Sequence, residues 1–257
     1  MQYFVLEQTD HITTVTMNRP DARNVLSVDV QKEFLKVLDA CEENAQVHGV
    51  IITGTGTAFA AGADIKELSR MSKHEAVELS KLGQTVFNKI EKLKAITVAA
   101  INGAAVGGGC ELALACDYRI AVEGARLGQA EVTIGIIPGW GASRRLTRIV
   151  GLQVARDMIF TGRLLSAEEA VTRRLVDQVV SRESLLESAK GLLRDLLSKS
   201  PVILRYAKEA LMAGVTLAKE QAELKERELF GLCFDTQDRK EGMSAFLEKR
   251  RPNFKGK

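Results

Sequence analysis

The chain is poor in the residues on which several common chemistries depend. Of its 257 residues, 3 are histidine, 4 are cysteine, 4 are proline, and aromatics make up 5%. His11, His48 and His74 fall at expected strand edges or on a polar helix start. None is near a plausible serine or cysteine nucleophile, so a Ser-His-Asp or Cys-His enzyme is not expected. Cys41, Cys110, Cys116 and Cys233 show no CxxC spacing, which argues against a zinc site or a disulfide framework and for a reducing, cytoplasmic compartment. No apolar run approaches the length of a membrane span. The opening MQYFVLEQTDHITTVTMNRP alternates polar with apolar and holds acidic residues, as strands do and targeting segments do not. Excess charge of one sign is absent too: 36 basic against 33 acidic side chains leave a net +3, which points to no nucleic-acid partner.

With 46% hydrophobic and 27% charged residues, the chain can bury a substantial core, either as one domain or as a core with a helical appendage. Residues 3–7 and 12–17 read as a β-hairpin closed off by the turn Asn18-Arg19-Pro20-Asp21. Val30, Phe34, Val37 and Cys41 then recur at helical spacing behind a Ser27 cap. The runs Gly49 to Thr53 and Ala95 to Ile101 are short buried strands, each followed by glycines and then a helix. Ser72 with Glu75 forms a capping box for a helix toward Leu93, and another strand is expected near Tyr118 to Val122. Beyond about residue 139 strand signals fade. Ser166 with Glu169 and Ser184 with Glu187 look like capping boxes, and Ser200-Pro201 opens the first of two long helices, near 201–213 and 217–233. A short amphipathic helix, Arg239 to Lys249, closes the pattern. The expected fold class is α/β, with a core over 1–195 and a helical region over 196–257.

Two familiar phosphate-binding loops are missing. Gly54 and Gly56 follow a buried strand with GxG spacing, but the third glycine of GxGxxG would fall on Phe59, and no GxxxxGK[ST] segment occurs. What stands out is Gly107-Gly108-Gly109-Cys110-Glu111, with a second glutamate, Glu131, twenty residues on in a glycine-rich apolar stretch. A glycine run that opens a helix leaves backbone N–H groups free to face developing negative charge, and lets a ligand approach closely. Two glutamates beside such donors can divide acid and base work, because neighbouring carboxyl groups in a partly apolar cleft push their titrations apart.

Three segments carry a family resemblance in their order and spacing: Phe59-Ala-Ala-Gly-Ala63-Asp-Ile-Lys66, Asn102 through Glu111, and Leu127-Gly-Gln-Ala-Glu131 through Gly139. Together with the closing Glu241-Gly-Met-Ser-Ala-Phe-Leu-Glu-Lys-Arg-Arg-Pro-Asn-Phe-Lys, they resemble the enoyl-CoA hydratase, or crotonase, family over essentially the whole chain. The resemblance implies a spiral of ββα turns, a C-terminal helical region, and homotrimers that often pair into hexamers. It places an oxyanion hole on the backbone N–H groups of Ala63 and Gly108. It makes Glu111 the group that activates water and Glu131 the one that protonates C2 of a 2-trans-enoyl-CoA thioester. Coenzyme A contacts would fall on Ala61, Asp64, Ile65, Lys66, Phe230 and Lys249, and Gly139 and Trp140 would border the acyl group.

The implied activity is enoyl-CoA hydration, set in fatty-acid β-oxidation, with no metal and no cofactor beyond the coenzyme A of the substrate. Alternatives are an isomerase or a pathway-specific 3-hydroxyacyl-CoA dehydratase of the same fold, or an inactive RNA-binding relative. Having both glutamates favours the hydratase. Two departures from the family pattern are Thr57, where some relatives carry a basic residue near the nucleotide, and Trp140, where small residues are more usual. Trp140 is expected either to shorten the acyl pocket or to face the core.

Overall fold

The computed structural model describes residues 1–257. The chain opens with β1 (Phe4–Thr9) and β2 (Ile12–Met17), antiparallel from Phe4↔Met17 to Thr9↔Ile12. A 3-10 turn at Pro20–Ala22 leads to α1 (Val28–Glu43), whose N-cap Ser27 accepts from the Val30 N–H. Its buried stripe holds Val30, Phe34, Val37 and Cys41, the spacing expected, widened by Gln31 and Leu38.

A single motif then repeats. β3 (Gly49–Gly54) and β4 (Ala58–Ala60) precede α2 (Ile65–Leu68) and α3 (Lys73–Lys92); β5 (Ile96–Ile101) and β6 (Ala104–Val106) precede α4 (Gly108–Ala115). β7 (Tyr118–Val122) and β8 (Arg126–Gly128) precede a 3-10 turn at Glu131–Ile134 and α5 (Ala142–Thr161). β9 (Leu164–Ser166) with α6 (Ala167–Thr172), then β10 (Gln178–Val180) with α7 (Leu185–Leu197), complete the series. The longer strand of each turn joins a six-stranded sheet, β1-β2-β3-β5-β7-β10, and the shorter joins a four-stranded one, β4-β6-β8-β9. β2–β3, β5–β7 and β7–β10 are parallel, as are β4–β6 and β6–β8; β9 runs antiparallel to β8. The result is the spiral of ββα turns that the family resemblance implies. Strands covered on both faces need apolar residues throughout, and β5 is buried at every position.

Sequence patterning misses the short strands. β4, β6, β8, β9 and β10 have three residues each, too few to display a period of two, and β9 and β10 lie beyond residue 139, where strand signals fade. The Ser72–Glu75 capping box forms in full, with both reciprocal bonds. At α6 only half of one does: Ser166 accepts from the Glu169 N–H, but the Glu169 carboxylate pairs with Arg163. Ser184 directs its hydroxyl to Ser181 instead of to a helix N–H.

Contacts divide the chain into two compact units, residues 1–93 with 97–191, and residues 94–96 with 192–257. The second holds α8 (Pro201–Thr216), capped by Ser200, α9 (Lys219–Phe234) and α10 (Gln237–Leu247). Buried Asp238 at the start of α10 accepts the backbone N–H groups of Lys255 and Gly256 at 2.7 and 2.9 Å, tying the C-terminal residues to that helix. No helix is long and apolar enough to cross a membrane.

Candidate active site

Three chain segments converge because glycines let them. Gly107 adopts φ 55° and ψ −124°, a conformation open only to glycine, and its carbonyl accepts the Glu111 N–H at 2.9 Å as α4 begins. Its own N–H donates to the Gly128 carbonyl at 2.8 Å, which fixes the start of α4 to the strand just before Glu131. Gly62, at φ 88°, brings the 61–64 loop against α4, since a Cβ there would lie 2.8 Å from the Val106 oxygen and 3.2 Å from the Gly108 nitrogen. The loop is also tied to the segment before α1 through Ala61 N–H to the Arg23 carbonyl and Leu26 N–H to the Gly62 carbonyl.

These segments border one cleft of about 800 Å³, within the usual size of a small-ligand site. Ala61, Ala63, Ile65, Gly108, Glu111, Glu131, Gly139 and Trp140 all line it. Neither the Ala63 nor the Gly108 N–H donates to another backbone group, and Gly108 is the first residue of α4, where a helix has no partner for its amide. Asp64 is used otherwise: its carboxylate caps α2 by accepting from the Lys66 and Glu67 N–H groups, and neither it nor exposed Lys66 is part of the cleft wall. Phe230 and Lys249 belong to the second unit, both exposed, with the Phe230 ring tilted against Phe234.

The two glutamates differ in surroundings. Glu111 is only 1% exposed. Its Oε1 accepts two backbone bonds, from Trp140 and Ala142, each at 2.8 Å. Burial pushes its carboxyl up to about 7, and the neighbouring Glu131 charge adds to the rise. The two N–H donors and the Arg145 cation oppose it. Glu131 heads the 3-10 turn, is half-buried, and is raised chiefly by burial. A Cβ on Gly107 would sit 2.7 Å from its Oε1. Buried Gln129 lies against Glu131, and with its amide assigned so that the NH2 group faces the carboxylate, its nitrogen is 3.2 Å from both Glu131 oxygens. Two carboxyl groups that share a desolvated cleft titrate as a pair, so that one readily keeps a proton while the other is ionised.

Trp140 faces the core and also borders the cleft. It is 4% exposed, with its ring edge-on to Phe87 at 5.8 Å between centroids, and it still closes one side of the cleft. The indole fits because Gly83 on α3 and Gly108 on α4 lack side chains; a Cβ on either would enter the ring. Gln129, Gly83 and the polar groups of α3 around the 139–142 segment carry parts of this site that sequence reading overlooked. The only signal for them was position: Gln129 two residues before Glu131, and Ser80, Gln84, Asn88 and Glu91 at one-face helical spacing.

Comparison with known proteins bears on the family of the chain. The chain is 42% identical over 248 residues to the short-chain-enoyl-CoA hydratase of Clostridium acetobutylicum, covering 96% of this chain and 95% of that one. It is 43% identical over 251 residues to the crotonyl-CoA hydratase of Syntrophomonas wolfei, covering 97% and 96%. The crystal structure of an enoyl-CoA hydratase from Bacillus anthracis superposes with a TM-score of 0.94 at 39% identity over 100% of both chains. Because the enoyl-CoA hydratase/isomerase family model also matches residues 7–257, across both compact units, the chain belongs to the enoyl-CoA hydratase/isomerase family.

Proposed function

We propose that the protein is an enoyl-CoA hydratase that adds water reversibly and syn across the 2,3 double bond of 2-trans-enoyl-CoA thioesters, giving 3-hydroxyacyl-CoA. The observation that carries this is the pairing of Glu111 and Glu131 in one apolar cleft, beside amides with no backbone partner. The thioester oxygen sits between the Ala63 and Gly108 N–H groups, which stabilise the enolate character that develops as water attacks; such donors are each worth roughly 10²- to 10³-fold in rate. Ionised Glu111, its Oε1 occupied by two peptide donors, takes a proton from water with Oε2 as the water oxygen bonds to C3. Protonated Glu131 gives its proton to C2. One proton has then moved from Glu131 to Glu111 through the substrate, and solvent exchange resets the pair. The chemistry requires no metal and no redox cofactor, since the thioester is polarised by hydrogen bonds alone.

Ala61 and Ile65 border the coenzyme A path, and Lys66, Phe230 and Lys249 contribute from outside the cleft wall, the last two across a subunit boundary in a homotrimer or a pair of trimers. Exposed Phe160, Phe230 and Phe246 support such an assembly. The setting proposed is the cytoplasm, and the preference proposed is for short acyl chains, because the Trp140 indole borders one side of the cleft.

The test is loss of enoyl absorbance when the protein meets crotonyl-CoA, beside Glu111→Gln and Glu131→Gln with unchanged circular dichroism. Rapid hydration by the native chain is expected, with each variant slowed by at least about 10²-fold. No turnover on crotonyl-CoA or longer enoyl thioesters refutes the hydratase reading. A loss confined to Glu131→Gln refutes the role given to Glu111.

A further inference from the structure

The two N–H groups that hold Glu111 belong to peptides separated by one other. In the 139–140 peptide, the Trp140 N–H donates to Glu111 while the Gly139 carbonyl accepts from Ser80 Oγ at 2.6 Å and Gln84 Nε2 at 3.1 Å. In the 141–142 peptide, the Ala142 N–H donates to Glu111 while the Gly141 carbonyl accepts the Arg145 N–H at 2.9 Å. The peptide between them, 140–141, sets their relative direction. Its carbonyl, Trp140 O, accepts from Arg145 Nη1 at 2.9 Å.

Arg145 is 1% exposed, and a buried guanidinium persists only where its donors are met. Nη2 donates to Asn88 Oδ1 at 2.6 Å and Glu91 Oε2 at 3.1 Å, and Nε reaches the same Glu91 oxygen at 3.3 Å. The fork is therefore moored on α3 and delivers one donor to the middle peptide. Gly141, at φ 113°, is shaped to this arrangement: a Cβ there would collide with Nη1. Residues 80, 84, 88 and 91 lie at i, i+4, i+8 and i+11, so a single polar stripe of α3 controls the whole 139–145 segment.

We propose that Arg145 is a positioning residue for Glu111, acting through the Trp140–Gly141 peptide, with Asn88 and Glu91 as its moorings. The inference rests on the two-carboxylate reading above. Arg145 works in two ways that can be separated. Geometrically, it keeps both N–H donors aimed at Oε1, so that Oε2 faces the reacting water; a displacement of about 1 Å at such a group costs as much as 10²-fold in rate. Electrostatically, it offsets part of the rise in the Glu111 titration. The charged or titratable groups that bear on Glu111 are Glu131 from the 3-10 turn, Cys110 from α4 and Arg145 from α5. Those around Arg145 are Glu91 from α3, and Arg144 and Arg148 from α5, which also pair with Glu91.

The experiment compares Arg145→Gln, Arg145→Lys and Asn88→Ala in the full-length chain, following crotonyl-CoA hydration across pH, with the Glu111 carboxyl titrated separately by ¹³C NMR without substrate. Arg145→Gln is expected to lower kcat about 10- to 100-fold with KM within about twofold, and to move the acidic limb and the Glu111 midpoint to higher pH. Arg145→Lys keeps the cation and loses the fork, so the limb stays near its native place while kcat remains low. Asn88→Ala, on an exposed position, releases one mooring and lowers kcat several-fold even where the Arg145 variants do not fold. Folded Arg145→Gln with native kcat and an unmoved midpoint overturns the proposal, as does native kcat in Asn88→Ala. A native chain that hydrates nothing overturns the hydratase reading, and the midpoint comparison still decides the role of Arg145.

Discussion

Glu111→Gln separates the cost of burying a carboxylate from the chemistry it performs. Gln keeps an acceptor for the Trp140 and Ala142 N–H groups and removes only the ionisation. In the native fold the carboxyl rises from 4.5 to about 7, so folded protein holds this proton more tightly than the unfolded chain does. The stability from that proton is therefore fully present below about 4.5 and is lost as pH rises through 7. A gap of about 2.5 units at 1.36 kcal/mol each corresponds to roughly 3 kcal/mol. Part of it has already been lost at pH 5, so the variant should gain about 2 to 3 kcal/mol on the native protein between pH 5 and pH 8.5. For a chain of this size that is roughly 5 to 10 °C in Tm. Glu131 is present in both proteins and cancels to first order, apart from its coupling to position 111. Urea unfolding at equal protein concentration reads the difference, with equal m-values as the check that the same transition is compared. A stability difference flat to within about 0.5 kcal/mol across that pH range would show that Glu111 does not carry a raised titration in the fold, and the argument from burial would fail.

Gly107→Ala places a Cβ 2.7 Å from Glu131 Oε1 at a backbone conformation closed to alanine. It is expected to cost about 1 to 3 kcal/mol in stability and at least 10²-fold in kcat; near-native kcat in unfolding-checked protein would place Glu131 away from the chemistry. Trp140→Ala should lose about 3 to 5 kcal/mol of stability and raise kcat/KM for an eight-carbon enoyl thioester relative to crotonyl-CoA. An unchanged ratio between the two substrates means that the indole does not limit chain length. Gly83→Ala drives a Cβ into that ring and should destabilise strongly in the native background but much less alongside Trp140→Ala, a coupling that a double-mutant cycle measures directly.

Chain order alone carried much of the local structure. Helix starts at Ser27, Ser72 and Ser200 were readable because a cap is a contact between residues three apart, and the periodic stripe of α1 appeared as written. Both glutamates and the glycine run were visible for the same reason: residue types that are costly or unusual in an apolar stretch stand out wherever the chain folds. What the sequence by itself determined is therefore the longer elements and the candidate chemical groups. The tertiary structure decided which groups share a cleft. Three-residue strands obtain their place from parallel neighbours distant in sequence, so nothing within β6 or β8 announces that they bring Gly107 beside Glu131. Trp140 could not be assigned to core or cleft until Gly83 and Gly108, 57 and 32 positions away, proved to be the surfaces it lies on. The environment of Glu111 likewise comes from peptides about 30 residues further on and from a guanidinium moored on α3. Desolvation and hydrogen-bond geometry depend on distance in space, which a linear pattern does not encode, so the acid–base character of the pair belongs to the fold.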